Sequence, residues 1–228
     1  VIKDLKIEGG AGSNAGNYPQ VGGGINSVNS NSELENIILS ENVAMFGGGM
    51  MSVTSNTVIN NVVIDNNYSY NTGGGIKNLM SSVTMENSEI KNNYAAMGGG
   101  IWIGENSSSL ILSGVTIKDN DANYRGGGLY SARNGSGIVF EGENRSSIYS
   151  NTASLGNDLY SISPLDVILD TFTVTTPSDY LAYPSPIYSF DILNGVLADL
   201  IIDIEQEDLY YAPDTGYIDV EFPVEVLN

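Results

Sequence analysis

A glycine triplet followed by one apolar residue recurs along the first two thirds of the chain. The block occurs at residues 22–25, 47–50, 73–76, 98–101 and 126–129, with a degenerate copy at 156–159. Successive copies begin 25, 26, 25, 28 and 30 residues apart. A fixed period of this length is typical of repeat proteins, in which each repeat is one structural unit stacked on the next.

A second block, Ile/Leu-x-x-Asn-x-Ala/Ser, precedes each of the last five glycine blocks. It occupies residues 39–44, 64–69, 90–95, 117–122 and 148–153. The glycine triplets, the frequent Asn and Ser, and β-branched runs at residues 62–64 and 115–117 disfavour helices. We therefore expect each repeat to consist of short strands joined by tight turns.

About 25 residues at ~3.3 Å per residue suffice for three short strands and three bends, which form one coil of a parallel β-helix. The fold class predicted for residues 1–160 is thus an all-β solenoid of six or seven coils, stacked about 4.8 Å apart.

Equivalent residues of successive coils should form columns. Because strand side chains alternate between two faces, the apolar residue after each triplet and the first residue of each second block should line the interior. The recurrent asparagine lies at the following turn, where its side-chain amide is expected to bond to the backbone or to the next coil. This column contains Asn42, Asn67, Asn93, Asn120 and Asn151.

The pairing of Gly-Gly-Gly-Ile with Ile-x-x-Asn resembles the repeats of the polymorphic outer-membrane protein family, and more broadly those of the pectate-lyase-like group. The resemblance covers about residues 1–160. It implies a right-handed, single-stranded parallel β-helix. Enzymes of that group use basic residues with a metal to remove a sugar proton, or clustered aspartates to hydrolyse a glycosidic bond.

Composition excludes several classes of function. The chain has 27 acidic and 8 basic residues and a formal charge of −19, which opposes binding to nucleic acid. It has no histidine and no cysteine, so Cys/His zinc sites, Ser-His-Asp triads and disulfides are excluded. No apolar run approaches the ~20 residues of a transmembrane helix.

A different composition begins near residue 160. From Ser161 onward the chain has no Lys or Arg but 13 acidic residues. Apolar runs at 167–174, 188–193, 200–204 and 217–226 predict strands. Residues 161–228 are therefore expected to form a β-rich cap over the last coil or a small β domain. The first residue is Val1 and the chain end carries no stop signal, which predicts a piece of a larger protein.

Candidate catalytic residues are few. Lys118 and Arg125 are the best candidates for a lyase site, and Asp65, Asp119 and Asp121 for a pair of hydrolytic carboxylates. The alternative is that these charges are solvated ion pairs on the coil surface, which are common. We therefore expect no catalytic residues in this chain.

The acidic tail offers oxygen ligands for a structural Ca²⁺ ion. The candidate residues are Asp203, Glu205, Glu207 and Asp208. The alternative is a solvated acidic edge without a metal.

The residue after each core apolar position should face outward. Three of these residues are aromatic, namely Trp102, Tyr130 and Tyr160, and they should stack roughly 5 Å apart along the rod. An exposed aromatic strip would bind sugar rings or a partner surface. The alternative is that the acidic tail folds back over the strip.

These observations favour a non-catalytic, monomeric segment of a secreted or cell-surface protein, which acts as a stalk, adhesin or passenger. Its expected partner is a glycan or a protein of a host or cell surface, and its acidic coat keeps it soluble. The alternative is a polysaccharide-binding or polysaccharide-degrading β-helix module.

Overall fold

The structure, a computed structural model, describes residues 1–15, 18–104, 108–132, 137–140, 144, 146–162 and the backbone of four strands beyond residue 162. The described residues form strands and turns, and no helix occurs among them. The strands are β1 (Ile2–Glu8), β2 (Ser13–Ala15), β3 (Tyr18–Val21), β4 (Ile25–Val28), β5 (Asn31–Ser40), β6 (Val43–Phe46), β7 (Met50–Val53), β8 (Asn56–Asp65), β9 (Tyr68–Thr72), β10 (Ile76–Leu79), β11 (Ser82–Glu86), β12 (Glu89–Lys91), β13 (Tyr94–Met97), β14 (Ile101–Gly104), β15 (Ser109–Ser113), β16 (Thr116–Lys118), β17 (Asp121–Arg125), β18 (Leu129–Ser131), β19 (Ile138–Phe140), β20 (Ser147–Tyr149), β21 (Thr152–Leu155), β22 (Leu159–Ser161), β23 (Val167–Leu169), β24 (Tyr180–Ala182), β25 (Tyr188–Ile192) and β26 (Ile201–Ile204).

Three largely parallel sheets wrap around one interior and form a β-solenoid. Sheet A contains β1, β5, β8, β11, β12, β15, β16, β19 and β20. Sheet B has the order β2-β3-β6-β9-β13-β17-β21, and sheet C the order β24-β22-β18-β14-β10-β7-β4. The predicted all-β solenoid is confirmed, with about five turns instead of six or seven. The difference arises because six glycine blocks enclose only five complete intervals.

The core consists of the predicted apolar columns. Ile76 is in register with Met50 and Ile101, and Ile90 is in register with Ile64 and Ile117. All of these side chains are fully buried. Each buried aliphatic side chain of this size contributes roughly 1.5–3 kcal/mol to folding, so the stacked columns are a main source of stability.

The asparagine column forms the predicted hydrogen-bonded ladder. The Nδ2 group of each asparagine donates to Oδ1 of the next, at 2.9 Å for Asn67 to Asn93 and for Asn93 to Asn120. The backbone N–H of Asn93 also donates to Oδ1 of Asn120, at 3.0 Å. Asp158 ends the ladder by accepting from Nδ2 of Asn151 at 2.8 Å. The ladder satisfies polar groups that the turn would otherwise bury without a partner.

Glycine is required at the turn between sheets B and C. Gly73 has a φ of 68°, in the left-handed region that favours glycine. A Cβ atom on Gly74 would lie 2.3 Å from the carbonyl oxygen of Gly99 on the next coil, so no side chain fits there. The triplet therefore brings the end of each sheet B strand close to the start of a sheet C strand.

Beyond residue 162, sheet C continues because β24 pairs in parallel with β22. Strands β23, β25 and β26 form a separate sheet. They lie within three of the four runs predicted from the sequence, and the fourth, at residues 217–226, lies outside the described residues. Whether residues 161–228 form a cap or a domain stays a prediction.

Candidate functional site

Two aromatic groups lie outside the main core. The first group lies on the outer side of sheet C and consists of the rings of Trp102, Tyr130 and Tyr160 and the side chain of Lys77 in register with them. We call it the buried aromatic column. We call Tyr68, Tyr70, Tyr94 and Tyr124, on the outer side of sheet B, the tyrosine face.

The three rings of the buried aromatic column stack as the sequence predicts. Trp102 is in register with Tyr130, and Tyr130 with Tyr160. The ring centroids are 6.5 Å and 5.3 Å apart, with interplanar angles of 20° and 10°. The rings form a cluster separate from the solenoid core, so they do face away from the interior.

The prediction that all three rings are exposed is wrong for Tyr130 and Tyr160. Their exposed fractions are only 7% and 3%, and Trp102 is half-buried. The reason is the tight glycine turn, which places side chains from the ends of sheet B strands, such as Met97 and Leu155, against the column. Ligand binding by Trp102, Tyr130 and Tyr160 stays a prediction.

Lys77 continues the column by one coil. Its Nζ atom lies 4.0 Å from the ring centroid of Phe46 and 4.5 Å from that of Trp102, and it donates to Oγ1 of Thr72 at 2.9 Å. Only 8% of the residue is exposed. Burial lowers the pKa of this amine from 10.5 to about 8. The ring faces favour the charged form and offset part of the desolvation cost.

The two lyase candidates are engaged in other contacts. The Arg125 guanidinium lies over the ring of Tyr160, 5.0 Å from its centroid. Lys118 and Lys91 both pair with Glu89, at 2.9 Å and 2.5 Å. Burial raises the pKa of the Glu89 carboxyl, but the hydrogen bonds from these two lysines outweigh it and leave the pKa lowered.

The hydrolase candidates lie around one corner of the solenoid. Asp65 ends a strand of sheet A, Asp121 begins a strand of sheet B, and Asp119 lies in the turn with a φ of 54°. Oδ1 of Asp65 accepts from Nδ2 of Asn92 at 2.8 Å, and Oδ1 of Asp121 accepts from Oγ1 of Thr152 at 3.1 Å. These bonds tie both carboxylates to neighbouring coils.

The predicted calcium ligands cannot be placed. Glu205, Glu207 and Asp208 lie outside the described residues, and for Asp203 only the backbone is described. Among the residues that the structure does describe, no three acidic side chains are grouped so as to hold a metal ion.

The tyrosine face was not found by sequence analysis. The rings of Tyr68 and Tyr94 stack at 4.8 Å with an interplanar angle of 15°, and Tyr70 packs edge-on against Tyr68 at 4.9 Å. Burial, together with the phenols of Tyr94 and Tyr70, raises the pKa of the Tyr68 hydroxyl. One signal was available, because Tyr68 and Tyr94 each directly follow an asparagine of the ladder.

The two most exposed tyrosines of the tyrosine face, Tyr70 and Tyr124, lie in segments with a register shift. Ala95 and Met97 of β13 are in register with Ala122 and Arg125 of β17. Between these positions β13 has one residue, Ala96, whereas β17 has two, Asn123 and Tyr124. Strand β9 likewise has one residue more than β13, in the segment that contains Tyr70. Tyr70 and Tyr124 are 58% and 61% exposed. Bulges re-aim side chains and are frequent beside functional sites.

Comparisons of the chain with protein family models, with curated proteins and with solved structures find no match. Within the described part of the chain, no helix has the length and apolar character needed to cross a membrane.

Proposed function

We propose that this chain is a non-catalytic segment of a larger secreted or cell-surface protein, and that it presents the tyrosine face as a binding surface. In this role it acts as a stalk, adhesin or passenger. Its partner is a glycan or a protein of a cell surface.

One observation carries the proposal. Four tyrosines lie on the outer side of sheet B, and two of them are more than half exposed. Tyrosine is enriched at interfaces because it combines a large apolar ring with a polar hydroxyl. Backbone pairing between coils fixes where the tyrosines are attached, and the rings of Tyr70 and Tyr94 both pack against Tyr68, which reduces the ordering cost of binding.

The sequence gives further support. The Gly-Gly-Gly-Ile and Ile-x-x-Asn repeats resemble those of the polymorphic outer-membrane protein family, which is consistent with a passenger at a cell surface. A formal charge of −19 keeps such a surface soluble and disfavours anionic partners.

An adhesion assay tests the proposal. Beads coated with the purified chain are incubated with epithelial cells, bacterial cells and extracellular-matrix proteins. We expect beads to adhere to at least one of these surfaces, and the double variant Tyr70→Ser/Tyr124→Ser to lose most adhesion.

The matched control is Val58→Ser/Val139→Ser, which alters side chains of sheet A that are 44% and 49% exposed. This control should adhere like the unmodified chain. Absence of adhesion to every surface, or equal loss in both double variants, would contradict the proposal.

A further inference from the structure

Tyr70 and Tyr124 flank a gap of one coil. Strand β13 lies between β9 and β17 in sheet B. Between shared register positions, Ala96 is opposite Asn123 and Tyr124 of β17, and the pair Ala95 and Ala96 is opposite the segment 69–71 of β9, which contains Tyr70. Adjacent coils are about 4.8 Å apart, so the two tyrosines are attached roughly 10 Å apart along the rod. We call the space above Ala96, between these two side chains, the tyrosine notch.

The spacing of the strands that carry Tyr70 and Tyr124 suits one flat ring between the two side chains. Aromatic rings in contact have centroids ~4.5–7 Å apart, which is less than the spacing of the two tyrosines. Side chains attached at this spacing leave room for the thickness of one inserted ring, with a contact on each side. The methyl group of Ala96 is the smallest side chain that could form the floor, and its neighbour Ala95 points into the core.

The groups around the notch are uncharged. Strands β9, β13 and β17 carry only two charged residues, Asp121 and Arg125. Arg125 lies over Tyr160 on the neighbouring sheet, and Asp121 accepts a hydrogen bond from Thr152 at the start of its strand. Asn71 and Asn123, next to the two tyrosines, offer amide donors and acceptors of the kind that sugar hydroxyls use.

From this arrangement we infer that the tyrosine notch binds one pyranose ring of a neutral glycan, with Tyr70 and Tyr124 against the ring and the neighbouring asparagine amides at its hydroxyls. The inference rests on the proposed function, because it specifies the ligand of the tyrosine face. The overall charge of −19 disfavours acidic polysaccharides.

Affinity gel electrophoresis of the full chain provides the test. The neutral probes are hydroxyethyl cellulose, β-glucan, xyloglucan, galactomannan and dextran, and the charged probes are polygalacturonate, chitosan and oligolysine. We expect at least one neutral polysaccharide to retard the chain and polygalacturonate to leave its mobility unchanged.

Variants then locate the binding site. Tyr70→Ala and Tyr124→Ala should each weaken binding about two- to tenfold, and Tyr70→Phe should retain it because the ring is kept. Ala96→Met should abolish binding by filling the notch, whereas Ala96→Ser leaves the notch open and should bind normally. Thr84→Met, on the outer side of sheet A, is the matched control and should also bind normally. Urea unfolding of each variant confirms that it is folded.

Three outcomes would overturn the inference. In the first, no neutral polysaccharide retards the chain. In the second, a charged probe binds in place of a neutral one, and this binding depends on Tyr70 and Tyr124. In the third, a neutral polysaccharide binds, but Ala96→Met does not weaken its binding. In each case bead adhesion that still requires Tyr70 and Tyr124 would leave the proposed function standing, so the two failures are distinguishable.

Discussion

The buried aromatic column and the tyrosine face both contain aromatic rings stacked along the same rod, but only the tyrosine face has rings that are more than half exposed. In both groups, rings of adjacent coils lie about one coil apart, with Tyr130 and Tyr160 at 5.3 Å and Tyr68 and Tyr94 at 4.8 Å. Parallel register therefore stacks identical residues on either sheet. Exposure depends on what lies beside each strand.

The two groups differ in their positions along the strands and in the side chains that lie beside them. On sheet C the residue after each core position lies just past the glycine turn, within reach of Met97 and Leu155 at the ends of sheet B. On sheet B, Tyr68 and Tyr94 begin their strands, Tyr70 lies in the middle of β9 and Tyr124 is the second-last residue of β17. The segments that contain Tyr70 and Tyr124 each have one residue more than β13. Four predictions, ordered by expected effect, test this contrast.

The largest effect is expected for Tyr130→Ala. Removing a buried ring leaves a cavity between Trp102 and Tyr160 and should lower the free energy of unfolding by about 3–5 kcal/mol. Urea unfolding followed by the fluorescence of Trp102, the only tryptophan, measures this loss. Tyr130→Phe keeps the ring and is the control. A loss below about 1 kcal/mol for the alanine variant would show that the column is not packed as described.

The next effect concerns the charge of Lys77. Because the folded-state pKa is about 8 and the ordinary value is 10.5, the folded chain loses this proton at a lower pH than the unfolded chain. Stability should therefore rise as pH increases from 8 towards 10.5, and the charged amine costs about 3 kcal/mol below pH 8.

The variant Lys77→Met lacks the titrating amine. Comparing it with the unmodified chain therefore isolates the contribution of Lys77 to the pH dependence of stability. The free energy of unfolding of the variant, relative to the unmodified chain, should fall by about 2–3 kcal/mol between pH 7 and pH 10. Urea unfolding at several pH values measures the difference. A difference that stays constant with pH would contradict the burial of the amine between Phe46 and Trp102.

A smaller effect is expected within the tyrosine face. A double-mutant cycle of Tyr68→Ala and Tyr94→Ala should give a coupling of about 0.5–1.5 kcal/mol, since the two rings stack while remaining in contact with water. Tyr68→Ala with Tyr124→Ala is the control cycle. Zero coupling in the first cycle would argue against the stack.

The smallest effect is expected for Tyr124→Ala. Its ring is mostly exposed and should contribute no more than about 0.5 kcal/mol to the free energy of unfolding. The same urea measurement provides the value. A loss above 1 kcal/mol would mean that the ring supports the fold and is not free for binding.

Much of the solenoid could be predicted from the sequence because each coil requires the same types of residue at the same positions. A core position such as Ile76 needs an apolar residue, and the corner needs an asparagine such as Asn93 to satisfy its backbone. These requirements recur at a constant period, so they are visible without coordinates. The stacking of Trp102 on Tyr130 follows from the same register.

The candidate site could not be predicted in the same way. Tyr70 and Tyr124 occupy irregular positions, because each lies in a strand that is one residue longer than its neighbour β13. The spacing from a ladder asparagine to the next glycine block is six residues after Asn67 and Asn120 and five in the other three coils, so the sequence shows which coils hold an extra residue. It does not show which side chain in that segment is exposed. The burial of Tyr130 was likewise hidden, since Met97 and Leu155 belong to different coils and a different sheet.

The sequence by itself determined the period, the inward columns and the asparagine ladder, because these depend on residues that repeat at equivalent positions and on local turn chemistry. Only the tertiary structure decided which outward aromatic side chains are covered and which are exposed. Coverage depends on which side chains of neighbouring coils and sheets pack beside each ring, such as Met97 and Leu155 at the buried aromatic column, and these residues are far from the rings in the sequence.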